Sequence, residues 1–466
     1  MDKLKEECGV VGIYSKQRGN IGERIYHGLI SLQHRGQESA GIATWHYDRI
    51  MHYKHLGLVQ EVFNQDNLTN LTGHMGIGHV RYSTTGAEDD RKNAQPLVQT
   101  FKGGDLALAH NGNIINAMSI RDEMVNDGHS FHTTIDSEII IRLIAKNYQG
   151  DAFEAIKKAC GEIKGAYALV IMLGGKLYGV RDPHGFRPLV LGSNAEGDYI
   201  LSSETTTLDL LDARRVGDVS KGEIIEISDE GVRREFFNDK EKKALCSFEY
   251  VYFSRPDSTI DGKYVFSVRK NLGAKLAQKD EKTYDVVAPV PDSGIPAAIG
   301  YAHEKGMNYT NVLMKNKYIG RTFISPNQEQ RDIQLRLKLN VLTEEVKGKS
   351  IVLIDDSIVR GTTMKKLIFQ LKDAGAREVH VRISSPPVMH SCYFGIDTPS
   401  KKSLIGANYS VEEICKHIGA DSLKFLTPDD LVDAIGDNEA LCRACFTGEY
   451  PMEVPKKSSK YIFEKV

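Results

Sequence analysis

Residues 351–363 run IVLIDDSIVRGTT, a stretch that admits few structural readings. Four apolar, mostly β-branched residues lead straight into two adjacent acids, then into a short loop bearing hydroxyls and one glycine. The pattern predicts a buried strand over 351–354 and a turn that opens a helix at about Gly361. Ligands of open α/β sheets bind at the carboxyl ends of strands, where Asp355 and Asp356 would lie. Neighbouring carboxylates there suit ribose hydroxyls or a hard cation such as Mg²⁺. Ser357, Arg360, Gly361, Thr362 and Thr363 follow, offering N–H groups, hydroxyls and a helix N-terminus that suit a phosphate. Gly361 is the only glycine and there is no lysine, so this is not the P-loop of ATPases. An isolated acid pair would more simply cap a helix; the strand before it and the V-R-G-T-T run after it favour a ligand site.

At 466 residues the chain can hold two or three domains with ample cores. A net charge of -2 excludes a general nucleic-acid surface, which needs clustered excess Lys and Arg. The longest apolar run, AYALVIML at 166–173, is too short for a membrane span, and MDKLKEE lacks the core of a signal peptide. A cytoplasmic protein is therefore expected, where disulfides are rare. Its seven cysteines then call for catalysis or metal binding.

The first half alternates short apolar strands (CGVVGIY, IATWHY, MGIGHV, LALAHN, AYALVIM, KLYGVR, YILSS) with helical patterns over 21–33, 136–146 and 151–163. That mixture predicts antiparallel sheets with packed helices. The charged stretch 228–243 (SDEGVRREFFNDKEKK) is the expected domain boundary. Beyond it β and α alternate: DVVAPVPDSG, a helix from Pro296, SIVLIDDS, a helix from Thr362, then EVHVRISSP. This predicts a parallel, doubly wound sheet.

Cys8 opens an apolar strand, where a cysteine is usually a small core residue. Its company is unusual: LQHRGQESAG at 32–41, GHVRYSTTG at 78–86, AHNGN at 109–113 and TTIDSE at 133–138. With Cys8, these ordered motifs resemble the glutaminase domain of the N-terminal-nucleophile amidotransferases. A thiolate attacking an amide needs a base, and the α-amine of an N-terminal cysteine, near neutral in pKa, would serve. The resemblance implies that a propeptide, residues 1–7, is removed to free that amine. It also implies Asn111 and the Gly112 N–H as the oxyanion hole. By the same resemblance Arg81 grips the α-carboxylate of glutamine, Asp136 takes its α-ammonium, and Arg35 and Gly36, in a motif near the nucleophile, complete the glutamine-binding set.

The run 351–363 in turn resembles the binding motif of the type I phosphoribosyltransferases, which hold 5-phosphoribosyl-1-pyrophosphate (PRPP). APVPDSG at 288–294 resembles their pyrophosphate-side loop, and the resemblance places Ser293 beside Asp355 and Asp356 around Mg²⁺. The polar connector 315–334 reads as a lid hinged at Gly320, with Lys315, Lys317 and Arg321 placed to neutralise departing pyrophosphate.

Cys442 and Cys445 form a C-x-x-C pair, and Cys246 and Cys392 lie in two other turn-like segments. Four thiolates would complete a tetrahedral site, and spacing alone does not distinguish zinc from a [4Fe–4S] cluster. The second half resembles the amidophosphoribosyltransferase class that carries such a cluster on cysteines in these contexts. Cys160 and Cys415, on predicted helices, are expected in the core.

Together the resemblances imply an α+β glutaminase domain (an αββα sandwich) over 8–235. An α/β phosphoribosyltransferase domain with a cluster-binding tail follows over 236–466. They imply PRPP and L-glutamine as substrates, one Mg²⁺ and one [4Fe–4S] cluster per subunit, inhibition by purine nucleotides, and a homotetramer. Two other readings stay open: a different amidotransferase, and a nucleotide-sensing regulator with a phosphoribosyltransferase fold. The first lacks a run like 351–363; the second calls for a basic DNA-binding segment.

Overall fold

The alternation of apolar residues in the first half builds two antiparallel sheets that stack face to face. In a computed structural model, residues 8–82, 90–316, 339–436 and 440–455 are described. The first sheet contains β1 (Gly9–Gly19), β2 (Ser39–His46), β3 (Arg49–Leu56) and β4 (Gly73–Arg81). The second contains β5 (Leu97–Phe101), β6 (Gly104–Ile114), β7 (Gly165–Leu173) and β8 (Lys176–Arg181). Strands β9 (Val190–Ser193), β10 (Tyr199–Ser202) and β11 (Arg214–Asp218) return to the first sheet. Strands β12 (Glu223–Ser228) and β13 (Gly231–Phe236) close the second. The orders are β11-β9-β10-β1-β4-β2-β3 and β13-β12-β8-β7-β6-β5.

The inner strands carry apolar residues on both faces, because both sides of each sheet are covered, while β3, β11 and β13 at or near the edges are more exposed. Val10 and Tyr14 of β1 meet Ala107 and Ala109 of β6 and Val170 of β7 between the sheets. Val11 and Ile13 point outward onto helix Ile21–Ser31, through Ile25 and Leu29. On the far side, Leu108, Leu169 and Ile171 take the apolar stripes of helices Ser137–Asn147 and Ala152–Glu162. The result is an αββα sandwich, and the three helices fall within two residues of their expected starts and ends.

The second half begins with β14 (Leu245–Cys246) and a short ribbon, β15 (Thr259–Ile260) with β16 (Lys263–Tyr264). Its sheet uses β17 (Val286–Pro289), while β18 (Leu313–Lys315) and β19 (Leu339–Val341) form a separate pair. Strands β20 (Ser350–Asp355), β21 (Glu378–Ile383) and β22 (Ser422–Phe425) complete it, in the order β17-β20-β21-β22, parallel throughout. Helices Val265–Gln278 and Ile295–Lys305 contribute to the core on one face. Helices Thr362–Asp373 and Val411–Ile418 contribute to that on the other. Finally β23 (Leu441–Cys442) pairs with β14 and brings the C-terminal part of the chain back.

One expectation needs correcting. The charged stretch 228–243 is not merely a boundary, since β13 lies within it and pairs with β12 from Glu223↔Phe236 to Ser228↔Gly231. Its charges are satisfied along a sheet edge, where charged residues are common. Arg234 pairs with Glu223 at 2.7 Å, and the Arg233 guanidinium lies 4.0 Å over the Phe153 ring. The expected leader, residues 1–7, lies outside the described residues, as does most of the expected lid, including Lys317, Gly320 and Arg321.

Candidate active site

Cys8 immediately precedes β1 and is buried, with its Sγ donating to the Tyr82 carbonyl at 3.3 Å. The neighbouring strand β4 ends at Arg81, in the register Gly9↔Val80, so the fold delivers Arg81 beside the cysteine. Burial pushes the Cys8 thiol up to about 11, against the downward pull of the Tyr82 backbone and the Arg81 charge. As placed, Cys8 is a neutral thiol at pH 7 and needs a base to become a nucleophile.

Asn111 and Gly112 lie on β6, opposite Ala168 and Tyr167 of β7. The Asn111 side chain is buried, and its Nδ2 has no hydrogen-bond partner among the described residues. An unmet buried N–H is costly, so such a donor points to an acceptor that arrives with a ligand. Gly112 has φ +149°, and a Cβ there would come within 1.9 Å of the Ala166 carbonyl oxygen. Only glycine fits there. Asp136 is buried and accepts at 2.7 Å from the N–H of Ile114, two residues along β6 from Gly112. Arg81 is 2% exposed, with Glu38 3.9 Å away.

Two histidines beneath this strand escaped the sequence reading, although both lie inside its motifs. His79 Nε2 donates to the His110 carbonyl at 3.0 Å, and His110 Nδ1 meets Ser137 Oγ at 2.9 Å. Burial pushes His79 down to about 3 and also lowers His110. Both are neutral supports of the backbone around Asn111.

Arg35 is placed differently from the expectation. Its fully buried guanidinium pairs with Glu204, and with Glu249 Oε2 at 2.6 Å, and donates to Ser254 Oγ at 2.9 Å. Burial would lower its pKa, but the two carboxylates outweigh that and raise it. The side chain thus ties the 32–41 motif to the second half. Gly36 does have a local role, because a Cβ there would come within 2.6 Å of the Arg81 N and the Val80 C. The 32–36 turn therefore rests directly on the end of β4.

At the carboxyl edge of the parallel sheet, Asp355, Asp356 and Ser357 are all buried. Ser293 Oγ donates to Asp356 Oδ1 at 2.5 Å, Ser357 Oγ to Asp356 Oδ2 at 2.6 Å, and the Asp356 N–H to Asp355 Oδ1 at 2.9 Å. The loops after β17 and β20 meet here because those strands are neighbours. Gly361, at φ +81°, ends the loop and caps helix Thr362–Asp373. Arg360 and Thr362 are exposed and Thr363 half-buried around the same mouth, while Lys315 pairs with Asp292 of the facing loop. Behind Asp356 stands Arg269, which sequence reasoning missed. Burial pushes it down to about 10, and Asp356 is the largest influence holding it up. Its signal was an arginine on the apolar stripe Val265, Val268, Leu272 and Leu276.

The four cysteines converge from three segments. Cys246 and Cys442 are direct partners in the β14–β23 pair, and Cys445 lies one turn further on. Burial raises the Cys445 thiol well above its ordinary value, and the neighbouring Cys246, Cys442 and Cys392 add to the rise. Burial pushes Cys246 and Cys442 up to about 12. Even so, among the described residues no group of three or more His, Cys, Asp or Glu is arranged to hold a metal ion. All seven cysteines are free thiols, with Cys160 buried and Cys415 only half-buried.

Known proteins place this architecture. A glutamine amidotransferase domain model matches residues 79–210, and a phosphoribosyl transferase domain model matches residues 263–384. The amidophosphoribosyltransferase of Methanothermobacter thermautotrophicus is 46% identical, over 98% of this chain and 97% of that protein. That of Bacillus subtilis is 45% identical, over 97% and 95%. Among solved structures, the B. subtilis glutamine PRPP amidotransferase complexed with ADP and GMP superposes with a TM-score of 0.91 at 44% identity, covering 97% of this chain and 99% of that one. A structure described as the allosteric regulatory enzyme of purine biosynthesis gives 0.92 at 44% identity, covering 97% and 98%. With two complete halves in this order and this identity over nearly its whole length, the chain belongs to the amidophosphoribosyltransferase family.

Proposed function

We propose that the chain catalyses PRPP + L-glutamine + H₂O → 5-phospho-β-D-ribosylamine + L-glutamate + diphosphate, the first committed step of purine biosynthesis. One observation carries the reading: a buried cysteine, a buried amide donor without a partner among the described residues, and a buried aspartate pair at a sheet edge share one chain. In the first half, Cys8 Sγ attacks the side-chain carbonyl carbon of glutamine, and the resulting oxyanion takes hydrogen bonds from Asn111 Nδ2 and the Gly112 N–H. Ammonia leaves, and water then releases glutamate from the thioester. The base is the α-amine of Cys8, freed by loss of residues 1–7. Arg81 and Asp136 hold the two charged ends of glutamine. Ammonia free in water would be protonated and diluted, so it passes internally to the second site.

There Asp355, Asp356, Ser357, Arg360, Gly361, Thr362 and Thr363 hold PRPP, with Lys315, Lys317 and Arg321 at the pyrophosphate side. Two carboxylates and a serine hydroxyl fit Mg²⁺, which takes few protein ligands and shares the rest with phosphate oxygens. Ser293, Asp355 and Asp356 would hold it, and when bound it neutralises charge on the leaving pyrophosphate. The four thiols, of which those of Cys246 and Cys445 are buried, are soft donors of the kind a [4Fe–4S] cluster takes, and such a cluster would staple the tail to the core.

The domains divide near residue 235. Feedback by purine nucleotides and a homotetramer follow the family, whose B. subtilis member was solved with ADP and GMP. No helix among the described residues is long and apolar enough to cross a membrane, and a reducing cytoplasm suits seven free thiols.

The test is the protein purified without oxygen. We expect an N-terminal mass beginning at Cys8, about four irons per chain, and pyrophosphate release that requires both PRPP and glutamine. Zinc in place of iron would replace the cluster and keep the staple. Absence of pyrophosphate release would overturn the reading.

A further inference from the structure

Gly112 is gripped from two sides, and only one grip belongs to the glutaminase half. On the near side is the Ala166 carbonyl of β7, 1.9 Å from where a Cβ would stand. On the far side is Gly395, in the segment between β21 and β22 and three residues after Cys392. Gly395 has φ +104°, and a Cβ on it would lie 3.1 Å from the Gly112 C and 3.2 Å from its Cα. The same Cβ would meet Arg187 Nη2 at 2.9 Å. The next residue of the oxyanion strand is tied to the same segment, since Asn113 Nδ2 donates to the Tyr393 carbonyl at 2.9 Å.

The segment carrying these contacts is itself held firmly. Arg187, fully buried, donates to the Phe394 carbonyl. The Phe394 ring stacks on Phe186, with centroids 4.2 Å apart and planes 18° from parallel. The Phe186 N–H in turn donates to Asp182 Oδ2 at 3.0 Å. Peptide 112 is therefore set between two backbones that have no freedom to yield. An oxyanion donor acts through placement within a few tenths of an ångström, so whatever fixes that peptide fixes part of the rate.

We propose that segment 393–395 of the second half is the buttress of the oxyanion hole, with Gly395 and Asn113 as positioning residues for glutamine hydrolysis. The proposal rests on the glutaminase reading of Cys8 and Asn111 given above. It makes the first site's competence conditional on docking of the second half, through a backbone contact and without any substrate in the second site. Neither residue touches glutamine; both act through the Gly112 peptide.

Two variants of the mature enzyme test it, Gly395→Ala and Asn113→Ala. Each is assayed for glutamine hydrolysis and ammonia-dependent synthesis. Each is also assayed for binding of glutamate and of an aldehyde analogue of glutamine, to which the Cys8 thiol adds to give a tetrahedral oxygen. The expected result is a fall of about tenfold in kcat/KM for glutamine, carried by kcat. Aldehyde affinity should fall in parallel, with glutamate affinity and ammonia-dependent synthesis unchanged. Asn113→Ala removes the hydrogen bond to the Tyr393 carbonyl and adds no atom, so it carries the test even where Gly395→Ala does not fold. Unchanged hydrolysis in a folded variant would overturn the buttress, as would equal losses of aldehyde and glutamate affinity. A parent enzyme without glutamine hydrolysis would instead overturn the reading of Cys8.

Discussion

Asn111 carries a buried amide donor with no partner among the described residues. A protein tolerates such a group where a ligand completes it. Asn111→Ala should therefore lower glutaminase kcat by about 10²–10³ while leaving KM for glutamine nearly unchanged, because the bond forms only with the oxyanion. Steady-state hydrolysis of glutamine measures it, and a change confined to KM would assign Asn111 to substrate binding instead. His79 gives a second residue-level expectation. Burial pushes it down from 6.5 to about 3, so between those values the unfolded chain binds a proton that the folded one refuses. Its contribution is fully present above pH 6.5 and is lost as pH falls below it, by about 2 kcal/mol on reaching pH 5. His79→Gln should flatten the fall in denaturant stability between pH 7 and pH 5 relative to the parent; identical slopes would show that His79 is not buried neutral.

Elements differ in how far the sequence discloses them. The run 351–363 foretold β20, its acids and the helix after it, because strand, turn and helix all lie within thirteen consecutive residues. Cys8, Asn111 and Gly112 stood out for a similar reason, each set in a short ordered motif. Strand β13 was not, since Arg233, Arg234 and Glu235 read as a solvated linker until β12 and Phe153 supply their partners. Arg35 suggested a substrate contact because its partners, Glu204 and Glu249, are 169 and 214 residues away. Arg269 was hidden on an otherwise apolar helix face for the same reason. At the β20 edge, Asp356→Asn removes a charge that Ser293 and Ser357 both address. Synthesis from glutamine and from ammonia should both drop on the order of 100-fold, with basal glutaminase kept. Unaltered PRPP turnover would remove this edge from the second active site.

Across the whole molecule the two halves are joined by buried polar groups as well as apolar surface. Arg35 reaches Glu249, Glu204 accepts from Ser258 Oγ at 2.6 Å and from the Arg255 N–H at 2.9 Å, and the carboxylates of Asp356 and Glu204 both act on the buried Arg269. Breaking a buried pair of this kind costs about 3–5 kcal/mol, so the halves are not free to drift apart. That rigidity suits an enzyme whose first site makes ammonia for its second, and two chemistries in one chain is the central claim. The most direct measurement is phosphoribosylamine formation by Cys8→Ala with each nitrogen source in turn. Synthesis from glutamine should vanish while synthesis from ammonia stays close to that of the parent. Equal loss of both, in a variant that still folds and binds PRPP, would contradict two separable sites.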